Sequence, residues 1–298
     1  MEIYACPVCH QALTRHPTAY RCPENHTYDI AKSGYVNLVL ANQKRTKNPG
    51  YNKEMIQSRR HFFAKGYYDS IAPQLIHALQ ATIPQLFQRK STHILDVGCA
   101  DGYLSHQIHQ QWPSPSRMWG IDLSKIGVQY AAQRYASINF AVANIYRLPI
   151  LPNSVDLIIQ ILAPTHEAEY ARVLKKDGYL VTVTPNTDHL WALKAHIYET
   201  PRKHQPKMPD FTHFTLLDKA VIHDSIALDN PEDIQSIFRM TPYYWRASEA
   251  VRERVGSLDR LETAIDLVMS VYKKGLTGTQ VVEKMASVQT DAWYGKPA

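Results

Sequence analysis

From about residue 70 onward, short apolar runs alternate with amphipathic stretches. Segments 71–87, 103–111, 125–135, 166–174 and 189–199 carry apolar positions three or four residues apart, the spacing of one helix face. In the first of them Ile71, Leu75, Ile76 and Leu79 share that face. The runs at 93–98, 118–123, 139–143, 155–162 and 179–184 predict strands. Short apolar strands separated by helices predict a mostly parallel sheet with helices on both faces. Three prolines within 201–209 interrupt the pattern and predict a loop. Beyond it, 219–228 and 263–272 read as strands with a helix at 231–238 between them. They would form an antiparallel hairpin closing one edge of the sheet.

The first seventy residues follow a different pattern. Residues 1–40 are rich in Cys, His, Tyr and Pro, with short strand-like stretches. Residues 41–66 are basic and polar, looping around Asn48-Pro49-Gly50 and turning helical from about Lys53. The chain therefore divides into a small domain at 1–40, a basic linker and helix at 41–68, and a large α/β domain at 69–298. With 298 residues, 45% apolar and 20% charged, it can bury a sizeable core. No apolar run approaches the ~18 residues of a membrane span. The N-terminus lacks a charged segment followed by an apolar one, so no signal peptide is expected and the chain reads as cytoplasmic.

Charge sharpens the division. The formal net charge is +6. Residues 1–68 hold ten basic and four acidic residues, and the remaining 230 hold 23 of each. The whole excess lies in the N-terminal quarter. Such a segment is either an ordinary solvated face or a docking surface for a polyanion.

Four cysteines in a reducing compartment point to metal or catalysis rather than disulfides. Cys6 and Cys9 stand two residues apart in CPVC, and Cys22 and His26 three apart in CPENH. A short spacer places two donors on one tight knuckle, and two knuckles supply the corners of a tetrahedron. The pattern predicts one structural Zn2+, with His10 and His16 as competitors for the fourth position. A closed four-ligand site leaves no open position, so no catalysis is assigned to it. About 40 residues lack the core to fold unaided, so the metal would contribute folding energy.

HILDVGCADGYLS holds the second motif. A buried strand ends at Asp96-Val97-Gly98, and a turn through Ala100, Asp101 and Gly102 opens a helix. Small residues there let a ligand approach the backbone, and Asp122, followed by Leu123, ends the next strand where an acid can accept from ribose hydroxyls. A dinucleotide site would show G-x-G-x-x-G and hold a pyrophosphate. Here the spacing is G-x-A-x-G with two carboxylates, Asp96 and Asp101, which suit a cation. S-adenosylmethionine carries an amino group and a sulfonium and no phosphate. The pattern resembles motif I of class I methyltransferases, with Ala100 in place of the middle glycine. In that fold Asn144, ending the third strand, would face the adenine, and Gln160 to Pro164 would face the methyl-accepting atom. Cys99, inside the turn, reads as a small packing residue.

Taken together and in order, CPVCHQAL, YRCPENHTYDIAKSGYVNLV, the KR at Lys44 and Arg45, SRRHFFAKGYY, LDVGCADGY, GIDLSK, RLP at 147–149, ILAP, TPNTDHLWALK and MTPYYWRA resemble one family. It is the RlmA type of bacterial 23S rRNA (guanine-N1)-methyltransferase, and the likeness covers roughly residues 4–247. It implies a zinc-binding RNA-recognition domain, a Rossmann-like catalytic domain with a seven-stranded sheet, and a homodimer. The implied reaction is methylation of N1 of a guanine in a domain II hairpin of 23S rRNA. By position, Cys6, Cys9, Cys22 and His26 match the zinc ligands, and Tyr68, Ala100, Asp101, Asp122 and His189 match cofactor contacts. Lys44, Arg45, Lys47, Arg59 and Arg60 are then expected to meet RNA phosphates, with Tyr35, Tyr51, Phe62 and Phe63 nearby as candidates to stack on bases, although each taken alone reads first as a core-packing residue. No residue is identifiable as the catalytic base. The tail after about Lys274 extends past the expected end of the family. The competing readings are a methyltransferase for another RNA or a small molecule, and a zinc-ribbon adaptor with a degenerate cofactor pocket.

Overall fold

The computed structural model describes residues 2–40, 52–206 and 209–275. Within the first stretch, β1 (Thr14–Arg15), β2 (Ala19–Arg21) and β3 (Thr27–Asp29) form an antiparallel three-stranded sheet, and β4 (Val36–Asn37) follows. Then come α1 (Lys53–Ala64), α2 (Ile71–Thr82), α3 (Pro84–Phe87), β5 (Thr92–Val97) and α4 (Tyr103–Gln111). Next are β6 (Ser116–Asp122), α5 (Lys125–Arg134), β7 (Asn139–Val142), β8 (Val155–Ile161), α6 (Glu167–Val173) and β9 (Leu174–Pro185). The chain continues through α7 (Trp191–Ile197), β10 (Phe214–Leu228), α8 (Pro231–Met240), α9 (Pro242–Arg246), α10 (Glu249–Gly256) and β11 (Leu261–Lys274).

The large sheet has the order β10-β11-β9-β8-β5-β6-β7-β4. From β9 to β4 all pairings are parallel, while β11 runs antiparallel to both its neighbours. The predicted alternation and the closing hairpin are both present. Seven of the strands belong to the class I arrangement. The eighth, β4, comes from the N-terminal segment and extends the sheet at its far edge. β5 is buried along nearly its whole length: Ile94 joins a core with residues of α2 and α4, and Leu95 and Val97 join one with α6 and the N-terminal segment.

Two expected helices are shorter than their periodicity suggested. The run 71–87 breaks into two at Ile83, which precedes Pro84 and adopts φ −133°, ψ 54°. Proline's ring disfavours the helical region for the residue before it. The run 189–199 shrinks to α7 because Leu190 sits at φ 52°, outside any right-handed helix. The proline loop carries no regular structure through residue 206, and its His204 N–H donates to the Thr187 carbonyl, ahead of α7, at 3.3 Å. The tail beyond residue 275 lies outside the described residues.

The N-terminal segment packs onto the sheet. Tyr4 bridges Ile150, the Ala5 N–H meets the Pro149 carbonyl at 2.9 Å, and the Leu151 N–H meets the Ile3 carbonyl at 2.8 Å. Ile3, Tyr4, Cys6, Leu13, Tyr20 and Cys22 share one hydrophobic core with Leu95, Val97, Trp119 and Ile121 of β5 and β6. A segment too small to bury its own core obtains one from its neighbour.

Candidate metal and cofactor sites

Cys6, Cys9, Cys22 and His26 are brought together, their donor atoms all within 4.8 Å of one another. Cys9 Sγ and Cys22 Sγ lie 3.5 Å apart, and His26 Nδ1 lies 3.6 Å from Cys6 Sγ and 3.3 Å from Cys22 Sγ. A tetrahedron with Zn–S near ~2.3 Å and Zn–N near ~2.0 Å has edges of about 3.5–3.8 Å. The donor set therefore fits Zn2+ in size and chemistry. Burial opposes ionisation of Cys6, but the N–H groups of Cys9 and Val8 and the Tyr28 hydroxyl outweigh it and bring the thiol down to about 6. The Tyr28 hydroxyl lies 3.1 Å from Cys6 Sγ. His10 stands apart from the group, exposed and in the left-handed region at φ 62°.

The glycine turn leaves the carboxyl end of β5. Gly98 at φ 85° and Gly102 at φ 74° occupy the left-handed region that glycine enters freely. A Cβ on Gly98 would lie 2.6 Å from the Ala163 Cβ, so the turn and the loop after β8 touch through a missing side chain. Ala100 takes φ 50°, where an L-residue is strained by roughly 1–2 kcal/mol. Its N–H donates to Asp122 Oδ2 at 2.9 Å, which ties the turn to the end of β6. Asp122 Oδ1 accepts from the Ser124 N–H at 2.7 Å. Leu123, partly buried, packs against the core between them.

Asp96 near the end of β5, Asp101 in the turn and Asp122 at the end of β6 are all buried. Burial pushes Asp96 up to about 6, with Asp122 adding and the Ser105 hydroxyl and Arg59 opposing. Asp122 is raised by burial too, against the N–H groups of Ser124 and Ala100 and against Arg59. Ser105 donates to Asp96 from the first turn of α4. Three buried carboxylates beside one guanidinium leave an excess of negative charge. Such a site favours a ligand with cationic groups and disfavours a phosphate. S-adenosylmethionine, with its ammonium and sulfonium, fits that donor set.

The guanidinium is that of Arg59, and here the structure departs from the sequence expectation. Arg59 was expected on RNA phosphates. Instead its Nε donates to Asp101 Oδ1 at 2.9 Å, and its Cζ lies 4.4 Å from the centre of the Phe63 ring. Phe62 and Phe63, weighed between base stacking and core packing, are buried in the core; Phe63 stacks on Tyr103 at 4.7 Å. Tyr35 is buried as well. Arg60, half-buried on α1, lies over the Tyr130 ring at 4.4 Å. Lys44, Arg45, Lys47 and Tyr51 lie outside the described residues.

Tyr68 is buried between Phe62 and Phe63, at 5.2 and 5.4 Å. Burial raises its hydroxyl to about 12, and the field of Arg59 opposes this. His189 lies past the carboxyl end of β9, where its Nδ1 accepts from the Asp266 N–H at 3.3 Å. That bond places the ring proton on Nε2, and burial lowers the ring to about 4, so it is a neutral donor. Asn144, expected at the end of the third strand, lies two residues past β7 in the turn that follows, and its Oδ1 accepts from the Tyr146 N–H at 3.0 Å. Gln160, buried at the end of β8, donates to the Ala163 carbonyl and accepts from Thr165 at 2.6 Å. Its amide shapes the loop after β8. Cys99 is buried and burial pushes its thiol well up, as suits a packing residue.

Sequence reasoning missed Arg59 and Ser105 as parts of this site. Ser105 is one helical turn beyond Gly102 and could have been found by placing that turn on a helix. Arg59 is 42 residues from Asp101, and only the packing of α1 brings them together.

Comparison with known proteins agrees with this geometry. A profile of the RlmA N-terminal zinc ribbon matches residues 4–47, and a methyltransferase-domain profile matches residues 88–237. A protein of Bacillus subtilis (strain 168), provisionally named a 23S rRNA (guanine-N(1)-)-methyltransferase, is 28% identical over 91% of this chain and 95% of its own. The 23S rRNA (guanine(748)-N(1))-methyltransferase of Streptomyces fradiae is 25% identical over 90% of this chain and 95% of its own. A Micromonospora griseorubida protein with the same provisional name as the first is 32% identical over 62% of this chain, a match spanning 66% of that relative's length. Among the described residues no helix is long and apolar enough to cross a membrane. With a methyltransferase profile over half its length, an acidic glycine turn at the end of β5 and a Cys3His ribbon ahead of both, the chain belongs to the RlmA-type class I methyltransferases.

Proposed function

We propose that this chain transfers a methyl group from S-adenosylmethionine to N1 of an unpaired guanine in a domain II hairpin of 23S rRNA. In this reading Cys6, Cys9, Cys22 and His26 hold one structural Zn2+, and the enzyme works as a homodimer. The observation that carries the reading is the union of two sites. A ribbon with a closed metal set is packed onto the same sheet whose carboxyl end bears the cation-seeking turn. A small-molecule methyltransferase has no use for that ribbon, and an adaptor has no use for three buried carboxylates.

The bound cofactor supplies a methyl group on a sulfonium, open to in-line displacement. The chain's residues align the partners, which can be worth roughly 7–11 kcal/mol of the barrier. Asp122 orients the ribose, while Asp96, Asp101 and Arg59 hold the amino-acid end. Tyr68 and His189 are proposed as further contacts, His189 as a neutral donor. N1 lies on the Watson–Crick edge of guanine and carries a proton, so the base must leave any pair before it can react. That proton needs an acceptor. The amides of Asn144 and Gln160 are engaged within the protein and are not bases, so water or the RNA takes it. Arg60, with Lys44, Arg45 and Lys47, is proposed to meet the phosphates, which makes binding salt-dependent.

The test uses 23S rRNA from a strain lacking this methyl group, incubated with the enzyme and mapped by primer extension. N1-methylguanine stops reverse transcriptase, so a new stop in a domain II hairpin is expected. Methyl incorporation with stops elsewhere, or into small molecules only, would refute the proposal.

A further inference from the structure

The turn after β7 presents an aromatic ring that the fold does not need. Residues 144–147 close on themselves: the Arg147 N–H meets the Asn144 carbonyl at 3.1 Å, and the Tyr146 N–H meets Asn144 Oδ1 at 3.0 Å. The next residues are bolted to α6. Glu169 accepts from the Leu148 N–H at 2.6 Å, and Arg172 donates to the carbonyls of Leu148 and Ile150 at 2.8 and 2.7 Å. On this fixed support Tyr146 is 55% exposed. The ring contact it makes is edge-on, with His166 at 5.4 Å and 87°. His166 is fixed in turn, capping α6 through Nδ1.

The position is as informative as the exposure. Asn144, one side of the turn, follows Ala143, whose N–H donates to the Asp122 carbonyl at 3.0 Å just past the end of β7. Arg147, on the other side, lines a cavity of about 700 Å³ together with Pro7, Val8 and His10 of the zinc ribbon. The turn thus stands between the cofactor end of the sheet and a groove shared with the ribbon. A rigidly held, half-exposed aromatic at that boundary is suited to a planar, electron-rich partner. Bases lifted out of a helix are commonly read by stacking on aromatic side chains.

Resting on the substrate reading above, we infer that Tyr146 is the stacking platform for the target guanine, with the ring face engaged and the hydroxyl dispensable. The experiment compares the zinc-loaded wild-type chain with Tyr146→Ala, Tyr146→Phe and Tyr146→Trp on a domain II hairpin RNA. It reads kcat and KM for RNA, S-adenosylmethionine Kd by calorimetry, and Tm as a check on folding. Tyr146→Ala is expected to lose roughly 5- to 150-fold in kcat/KM, the range that base–aromatic stacking supplies. Phe and Trp are expected to retain activity, and cofactor Kd is expected to stay within about twofold of wild type in all three, since the ring is assigned to the base. An unchanged Tyr146→Ala overturns the inference. So does a cofactor Kd that weakens in step with turnover, which would make Tyr146 a wall of the adenine pocket, or a Phe variant as poor as Ala. If the wild-type chain does not methylate the hairpin, the substrate reading falls and the inference with it. An active wild type with any of the three overturning results sinks the inference alone.

Discussion

Replacing Arg59 with Gln separates two roles that a basic residue in this segment could have. The Arg59 side chain is 17% exposed and Asp101 6%. Removing one member of a fully buried pair costs roughly 3–5 kcal/mol, because the other charge is left unpaired. Partial exposure of the guanidinium lowers this to about 2–3 kcal/mol. In a domain of this size that is a fall in Tm of about 4–12 °C. Asp101→Asn should cost a similar amount, and the double variant should fall short of the sum by at least about 1 kcal/mol. Lys at position 59 keeps the charge but loses the planar fork and the stacking on Phe63, so it should fall between wild type and Gln. Cofactor affinity should weaken about tenfold or more, the cost of one charge-assisted contact. The assays are urea melts of all four variants and calorimetry with S-adenosylmethionine. If Arg59→Gln leaves stability and cofactor Kd unchanged but weakens RNA binding, Arg59 is a phosphate contact and the pairing with Asp101 has no energetic role.

Three further outcomes are expected. Asp96 titrates near about 6 when folded against 3.8 unfolded, so the native state holds its proton more tightly and apo stability falls as pH rises from about 4 to 6. Asp96→Asn should flatten that slope and raise apo stability at pH 7 by up to about 3 kcal/mol. Wild-type affinity for the cationic cofactor should rise with pH up to about 6. Urea melts and calorimetry between pH 4.5 and 7.5 check both, and a flat cofactor affinity across that range counts against the charge argument. Cys6→Ser should lose zinc by elemental analysis. Hydrogen exchange should then accelerate in the ribbon and also at Leu38 and Leu151, whose N–H groups join ribbon to sheet; exchange confined to residues 2–30 would contradict the shared core. Gly98→Ala should cost about 2–5 kcal/mol, from left-handed strain and from overlap with Ala163. Ala163→Gly should restore the overlap share in urea melts, and no rescue would mean that the contact does not bear on stability.

The readable parts of the site were those where spacing along the chain is itself the geometry. CPVC and CPENH are knuckles by their own length, and the turn from Asp96 to Gly102 is a continuous segment with Asp122 one unit further on. The alternation of strands and helices was legible because each strand of a parallel sheet is a short apolar run. Helix ends were less legible, since a single backbone angle at Ile83 or Leu190 overrode a favourable periodicity.

By itself, then, the order of residues determined the class of fold, the metal donors and the character of the cofactor turn, because each is written in short motifs whose own spacing sets the local geometry. Tertiary structure alone decided which cation serves that turn. Arg59 and Arg60 are adjacent in sequence, and the packing of α1 turned one inward to Asp101 and left the other over Tyr130. It also decided that the ribbon shares a core with β5 and β6 and lends β4 to the sheet, and that Tyr146 and His166 meet. Each of these depends on segments at least 20 residues apart, whose approach is set by burial of apolar surface from the whole chain and leaves no local mark.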